Sequence, residues 1–152
     1  MNAIAIHQAL LQRLQQITPA SGYLTDLGRN VVEGFAVQTD MNRHQSACLF
    51  LSWQQASLGD TAATGPQGQS RKHGRQWQVE VLAPSSTSQS WWLQAEHDIV
   101  RSLSYRVGQR PLGQPVMKAS INASQLHPVP QTPLSILTVL ITLDYSETYT
   151  AI

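Results

Sequence analysis

Read for period alone, the chain opens on a helix. Ala3, Ile6, Leu10, Leu14 and Ile17 share one face of residues 3–17, with Leu11 at its edge, while Gln8, Gln12, Gln15 and Gln16 gather opposite. Pro19 disfavours helical backbone just ahead of itself and sets the end. Residues 21–28 predict a turn and a short extended piece. Val31, Val32, Phe35 and Val37 predict a strand interrupted by Gly34. Residues 47–53 are almost continuously apolar, the pattern of a strand buried on both faces. From Gln76 the period becomes two: Trp77, Val79, Val81 and Ala83 alternate with Gln76, Gln78, Glu80 and Leu82. Pro84 and the hydroxyls after it stop this strand and offer caps to a second helix. There Trp92, Ile99, Leu103 and Val107, flanked by Leu93 and Val100, oppose Gln94, His97, Arg101 and Tyr105. Glu96 falls in the middle of that apolar stripe, where an unpaired carboxylate is costly. It is expected either to meet a cation or hydroxyl donor, or to lie where the stripe leaves the sheet. Residues 108–113 stop the helix. Residues 116–121 predict a strand, and 122–132, with Pro128 and Pro130, a connection. Residues 134–145 give the cleanest alternation, with Leu137, Val139, Ile141, Leu143 and Tyr145 on one side.

Between the apolar run and the alternating strand, residues 54–73 carry small and polar side chains, Gly65-Pro66 and Gly68, and no apolar period. That composition predicts a long flexible loop, the end of a hairpin projecting from the body. Strand runs interleaved with only two helices define an α+β fold. The expectation is a largely antiparallel or mixed sheet with both helices packed on one face, in a single domain over residues 1–152. The other face, with Leu82, Ile136 and Leu140, is only partly polar.

Composition adds that this surface is unusually neutral. Charged residues are 12% of the chain, against roughly 25% in ordinary soluble proteins. Gln alone occurs 18 times, nearly as often as the 19 charged residues together, and the formal charge is +1. Such a balance gives no long-range pull on nucleic acid and suits a protein that works against other protein. The single cysteine, Cys48, excludes an internal disulfide, and its apolar neighbours predict a buried, inert thiol. No run approaches the ~20 apolar residues of a membrane helix, and the first residues lack the pattern of a signal peptide.

Candidate chemistry is thin. His44 and Cys48 have no second ligand pair at zinc-like spacing. His97 and Asp98 are neighbours on a helix, so their side chains diverge. Gly65 to Gly68 followed by Arg71-Lys72 lacks the signature of a phosphate loop. The sequence therefore predicts no catalytic, cofactor-binding or metal site. What remains is a candidate interface: the basic run Arg71, Lys72, His73 and Arg75, readable also as a solvated loop end, and Trp91, a shoulder of the core or an anchor for a partner.

The opening helix IHQALLQRLQQI, the turn GYLTDLG, the strand QWQVEVLA, the helix WWLQAEHDIVRSL and the strand ILTVLITLDY together resemble the tail terminator (minor tail, tail-completion) proteins of long-tailed bacteriophages. The resemblance is one of order, length and texture over nearly the whole chain. It implies a structural virion protein and not an enzyme, without cofactor. Such a protein forms a ring, usually a homo-hexamer, that caps the tail tube and makes the head–tail joining surface. The implied partners are further copies of itself, the major tail tube protein and the head–tail connector protein, with DNA only passing through the lumen. Assembly in the host cytoplasm and residence in the virion neck follow from the same resemblance. Other neck or head-completion proteins, and a small ferredoxin-like domain binding a ligand or nucleic acid, share this α+β texture.

Overall fold

The computed structural model describes residues 2–36, 47–66, 68–105, 109, 112 and 116–150. Its elements are helix α1 (Asn2–Gln15), strands β1 (Val31–Glu33), β2 (Cys48–Gly65) and β3 (Gly68–Pro84), helix α2 (Gln89–Leu103), and strands β4 (Val116–Pro128) and β5 (Leu134–Tyr149). The five strands form one sheet in the order β1-β2-β3-β5-β4. Every pairing is antiparallel except the short parallel one between β1 and β2, so the sheet is mixed and the fold α+β.

Alternation decides which face carries the helices. Trp77, Val79 and Val81 of β3, with Leu137, Val139, Ile141, Leu143 and Tyr145 of β5, point to one side and are buried there. Onto them α1 lays Ile6, Ala9, Leu10 and Leu14, and α2 lays Trp92, Ala95, Ile99 and Leu103. Full burial of such side chains is worth about 1.5–3 kcal/mol each, so this two-helix layer is the main source of stability. Ser88 begins α2 as expected, its Oγ accepting from the N–H of Trp91 at 3.2 Å. Glu96 does not lie at the centre of the stripe. Ala95 takes that place, and Glu96 lies at the edge, accepting from the Ser124 hydroxyl on β4. Of the two alternatives expected for this carboxylate, the hydroxyl donor is the one present.

The opposite face is divided. Near β1 a second cluster of Cys48, Phe50, Leu82, Leu134 and Ile136 is buried with Ala36, whose N–H donates to the buried Glu80 carboxylate at 3.1 Å. Farther along, the same face shows amides and hydroxyls, among them Gln55, Ser57, Gln76, Asn122 and Thr142. Cys48 is as closed as its neighbours predict. Burial pushes its thiol up against the opposing pull of the Leu49 N–H, and its Sγ–H points to the Asn30 carbonyl. Thiol labelling of the native protein should therefore be at least about a hundredfold slower than in denaturant. Equal rates would place residues 48–51 outside the sheet.

Three expectations need correction. Residues 54–73 are not a structureless loop. β2 and β3 pair through Leu58↔His73 and Thr64↔Gln69 to Gly65↔Gly68, a continuous hairpin with bulges between Trp53 and Ala63. At about 3.3 Å per residue its 18- and 17-residue strands run some 55 Å. The composition misled because backbone pairing along a ladder needs no buried side chain. The tip is fixed by Gly68, whose φ is +133° and whose Cβ, if present, would meet the Tyr149 carbonyl at 2.0 Å. The second correction is that residues 122–128 belong to β4 and not to a connection. Third, residues 27–29 form a turn of 3₁₀ helix, not an extended piece. Val37, Val107 and His44 lie outside the described residues.

Candidate assembly interface

The β2–β3 hairpin outreaches the helices, so its distal half presents side chains on both faces. The bulge after Trp53 resets the alternation of β2 against β3. Arg71, His73 and Arg75 continue the odd-numbered, helix-bearing face of β3, and Lys72 takes the other. The basic run is therefore split and not one patch. His73 is buried to 3% exposure. Its Nδ1 accepts from the Gly59 N–H at 3.1 Å, which leaves the proton on Nε2 facing the Tyr149 hydroxyl at 2.8 Å. Its ring also meets Tyr145 and Tyr149 edge-on. It is a structural pin of the arm. Arg71 reaches back toward the Gly59 carbonyl. Arg75 donates from Nε to the Tyr145 hydroxyl at 3.0 Å and lays its guanidinium 4.9 Å from the centre of the Trp53 ring. Trp91 is half-buried, edge-on to Trp92, and stands apart from these groups beside Asp26, Arg29 and Ala47.

Where the arm leaves the body, α1 is docked by polar contacts that carry no periodic signal. Trp77 donates from Nε1 to His7 Nδ1 at 3.1 Å, so His7 Nε2 bears the proton and donates to Glu33 at 2.6 Å. Glu147 of β5 caps the start of α1, its carboxylate accepting from the N–H groups of Asn2 at 2.8 Å and Ala3 at 3.3 Å. A carboxylate at a helix N-terminus is favoured by the unpaired N–H groups and the helix dipole. Burial opposes that charge. Positive charge at the start of α1 and the N–H groups of Ala3 and Asn2 outweigh it and hold the carboxyl below its ordinary value of 4.5. The contribution is thus complete above that value and is lost as pH falls through the lower, folded one. Urea midpoints taken from about pH 6 to about pH 3 should drop more steeply for the wild type than for Glu147→Gln. Parallel curves would remove Glu147 from the acid response.

Apolar side chains left open mark the same region. Ile4, Trp53 and Leu58 are 59%, 55% and 65% exposed, and a shallow cleft between α1 and the arm is lined by Ala3, Ile4, His7, Trp53, Arg75 and Trp77. At the other side of the sheet Ile121 is exposed beside an open apolar pocket of about 220 Å³, lined among others by Leu10, Leu103, Leu112 and Ala119. The sequence named Arg75 but missed Trp53, Leu58 and Ile121, because an exposed apolar residue in a strand looks the same as a buried one. Among the described residues no group of three or more His, Cys, Asp or Glu could hold a metal ion. No described helix is long and apolar enough to cross a membrane.

Exposed apolar side chains, Arg75 and the open cleft thus lie together where the arm leaves the body, at the candidate interface. No family model and no curated relative matches the chain. Among solved structures it is similar in fold to a chain from the virion of a native gene transfer agent (GTA) particle, with a TM-score of 0.57 at 11% identity, covering 96% of this chain and 98% of the other. The likeness therefore spans both chains almost end to end and is one of fold.

Proposed function

We propose that this chain is a structural protein of a phage-like virion, which caps the tail tube as a ring and offers the surface that joins tail to head. The observation that carries the reading is the end-to-end fold likeness to a chain of a gene transfer agent virion. Two features of the molecule support it. The surface is poor in charge and rich in amides, and exposed apolar side chains gather on an extended arm and at the opposite edge of the sheet. In this reading the protein has no reaction of its own. It assembles in the host cytoplasm, stays in the neck, and touches further copies of itself, the tube protein and the head–tail connector, while DNA passes through the ring.

The test is genetic and microscopic. Interrupting this reading frame in a producing strain should yield filled heads and separate tails of irregular length, with joining restored by the protein supplied in trans. Joined particles at the wild-type yield would refute the reading. Heads that leak DNA beside normal tails would instead assign a head-completion role.

A further inference from the structure

Among the described residues the sheet has two open edges, one along β4 and one along the distal half of β2. β4 borders the sheet on one side and, among the described residues, pairs only with β5. On the other side β1 covers β2 only as far as Leu51, so the distal half of β2 has no described neighbour on its outer edge. Open edges invite strand addition, and proteins blunt them with charge, proline or brevity. Here β4 from Val116 to Pro128 holds one charged residue, Lys118, and β2 from Gln54 to Gly65 holds one, Asp60, of opposite sign.

Direction and level agree as well. β2, β3, β5 and β4 alternate up, down, up, down, so β4 of one copy laid beside β2 of the next continues the antiparallel order. The ladders place Ile121, Ile141, Trp77 and Trp53 on one level, and Val116, Tyr145, His73 and Leu58 on another. On the helix-bearing face, the exposed Trp53 and Leu58 of one copy would then meet Ile121 and Val116 of its neighbour. The apolar pocket beside Ile121 and Ala119 lies where a neighbouring Trp53 ring would enter. Arg75, held by Tyr145, backs that ring on its own chain.

We propose that copies of this chain join head to tail, β4 of one against the outer edge of β2 of the next, with Trp53 seated in the pocket beside Ile121. The contact is heterologous, so it propagates into a closed ring if the rotation per copy closes, and into a filament if it does not. The inference supplies the ring contact of the proposed function and rests on that reading. It assigns the subunit interface to the two sheet edges and leaves the helix-free polar face of the arm outside it.

Ala56 and Ala119 also share a level, through Arg75 and Leu143. With Cys48 replaced by alanine, Ala56→Cys and Ala119→Cys on one chain are three ladders apart, about 14 Å, too far for a bridge within the chain. Mild oxidation at high protein concentration should give a ladder of cross-linked multimers ending in a closed species. Adding Trp53→Lys should cut the yield at least about tenfold while circular dichroism stays unchanged, because Trp53 is half-exposed in the single chain. A product that stops at dimer, or no product, overturns the proposal. So does a ladder indifferent to Trp53→Lys. If rings are seen by electron microscopy without the cross-link, the edge contact is wrong and the virion reading stands. If the purified double-cysteine protein gives cross-linked closed multimers but heads and tails still join when the gene is interrupted, the virion reading is wrong and the edge contact stands.

Discussion

Asp98→Ala should cost about 3–5 kcal/mol of folding stability, the largest loss expected of any single polar substitution here. Asp98 has no exposed surface, although it sits on a helix between a histidine and an isoleucine. Its Oδ1 accepts from the Leu24 N–H at 3.1 Å, and its Oδ2 accepts from the N–H and the hydroxyl of Thr25, both at 2.7 Å. One carboxylate thus satisfies three donors of the turn that links α1 to the sheet. Arg101, one helical turn on, donates to the Gly22 carbonyl at 2.6 Å and covers the Tyr23 ring. Removing the carboxylate strands buried N–H groups that water cannot reach, and each such loss costs about 1–3 kcal/mol. In a chain of this size the melting temperature should fall by on the order of 10 °C. Asp98→Asn should lose less, because the amide oxygen still accepts while its NH₂ faces donors. Urea unfolding of the three proteins checks both statements, and an Asp98→Ala midpoint within error of wild type would show that the turn is not held by α2.

Trp77→Ala should cost about 3–5 kcal/mol and should also loosen the seat of α1. Trp77 is 1% exposed at the centre of the helix-bearing face, level with Ile141 on β5 and Trp53 on β2. The indole is large, and the backbone around it is fixed by two ladders, so the cavity left by alanine cannot close fully. Trp77→Phe keeps most of the buried area and loses only the bond to His7 Nδ1. Because His7 keeps some contact with solvent, that variant should lose only about 1 kcal/mol. Hydrogen exchange over residues 3–15 should quicken in the alanine variant and stay near wild type in the phenylalanine one. Equal exchange in both would mean that α1 is held by its other contacts alone.

The polar groups at issue in these variants were not legible as such. His7, Glu33, Asp98 and Glu147 look like ordinary surface residues in the sequence, and their partners lie 26 to 145 positions away. A hydrogen bond at that separation has no period and no spacing. The candidate interface fared similarly. In the sequence Arg75 is one charge of a basic run, and its place against the Trp53 ring gives that charge a role the run does not suggest. His73, grouped with it for the same reason, is a buried pin of the arm.

Legible from local period were the two helices, the inward face of α1 and most of that of α2, the 76–83 part of β3, the 134–145 part of β5 and the α+β class. Each of these is set by burial on one side of a locally repeating backbone, and Ile6, Leu10 and Leu14, or Leu137, Val139 and Ile141, repeat at that period. That residues 54–65, 68–73 and 122–128 are strands becomes visible only in the folded sheet. Their side chains are largely exposed, so they leave no trace of an inside. What makes them strands is backbone pairing that needs no buried side chain: β2 and β4 each pair with the strand next in sequence, and residues 69–73 pair also with the end of β5, far along the chain.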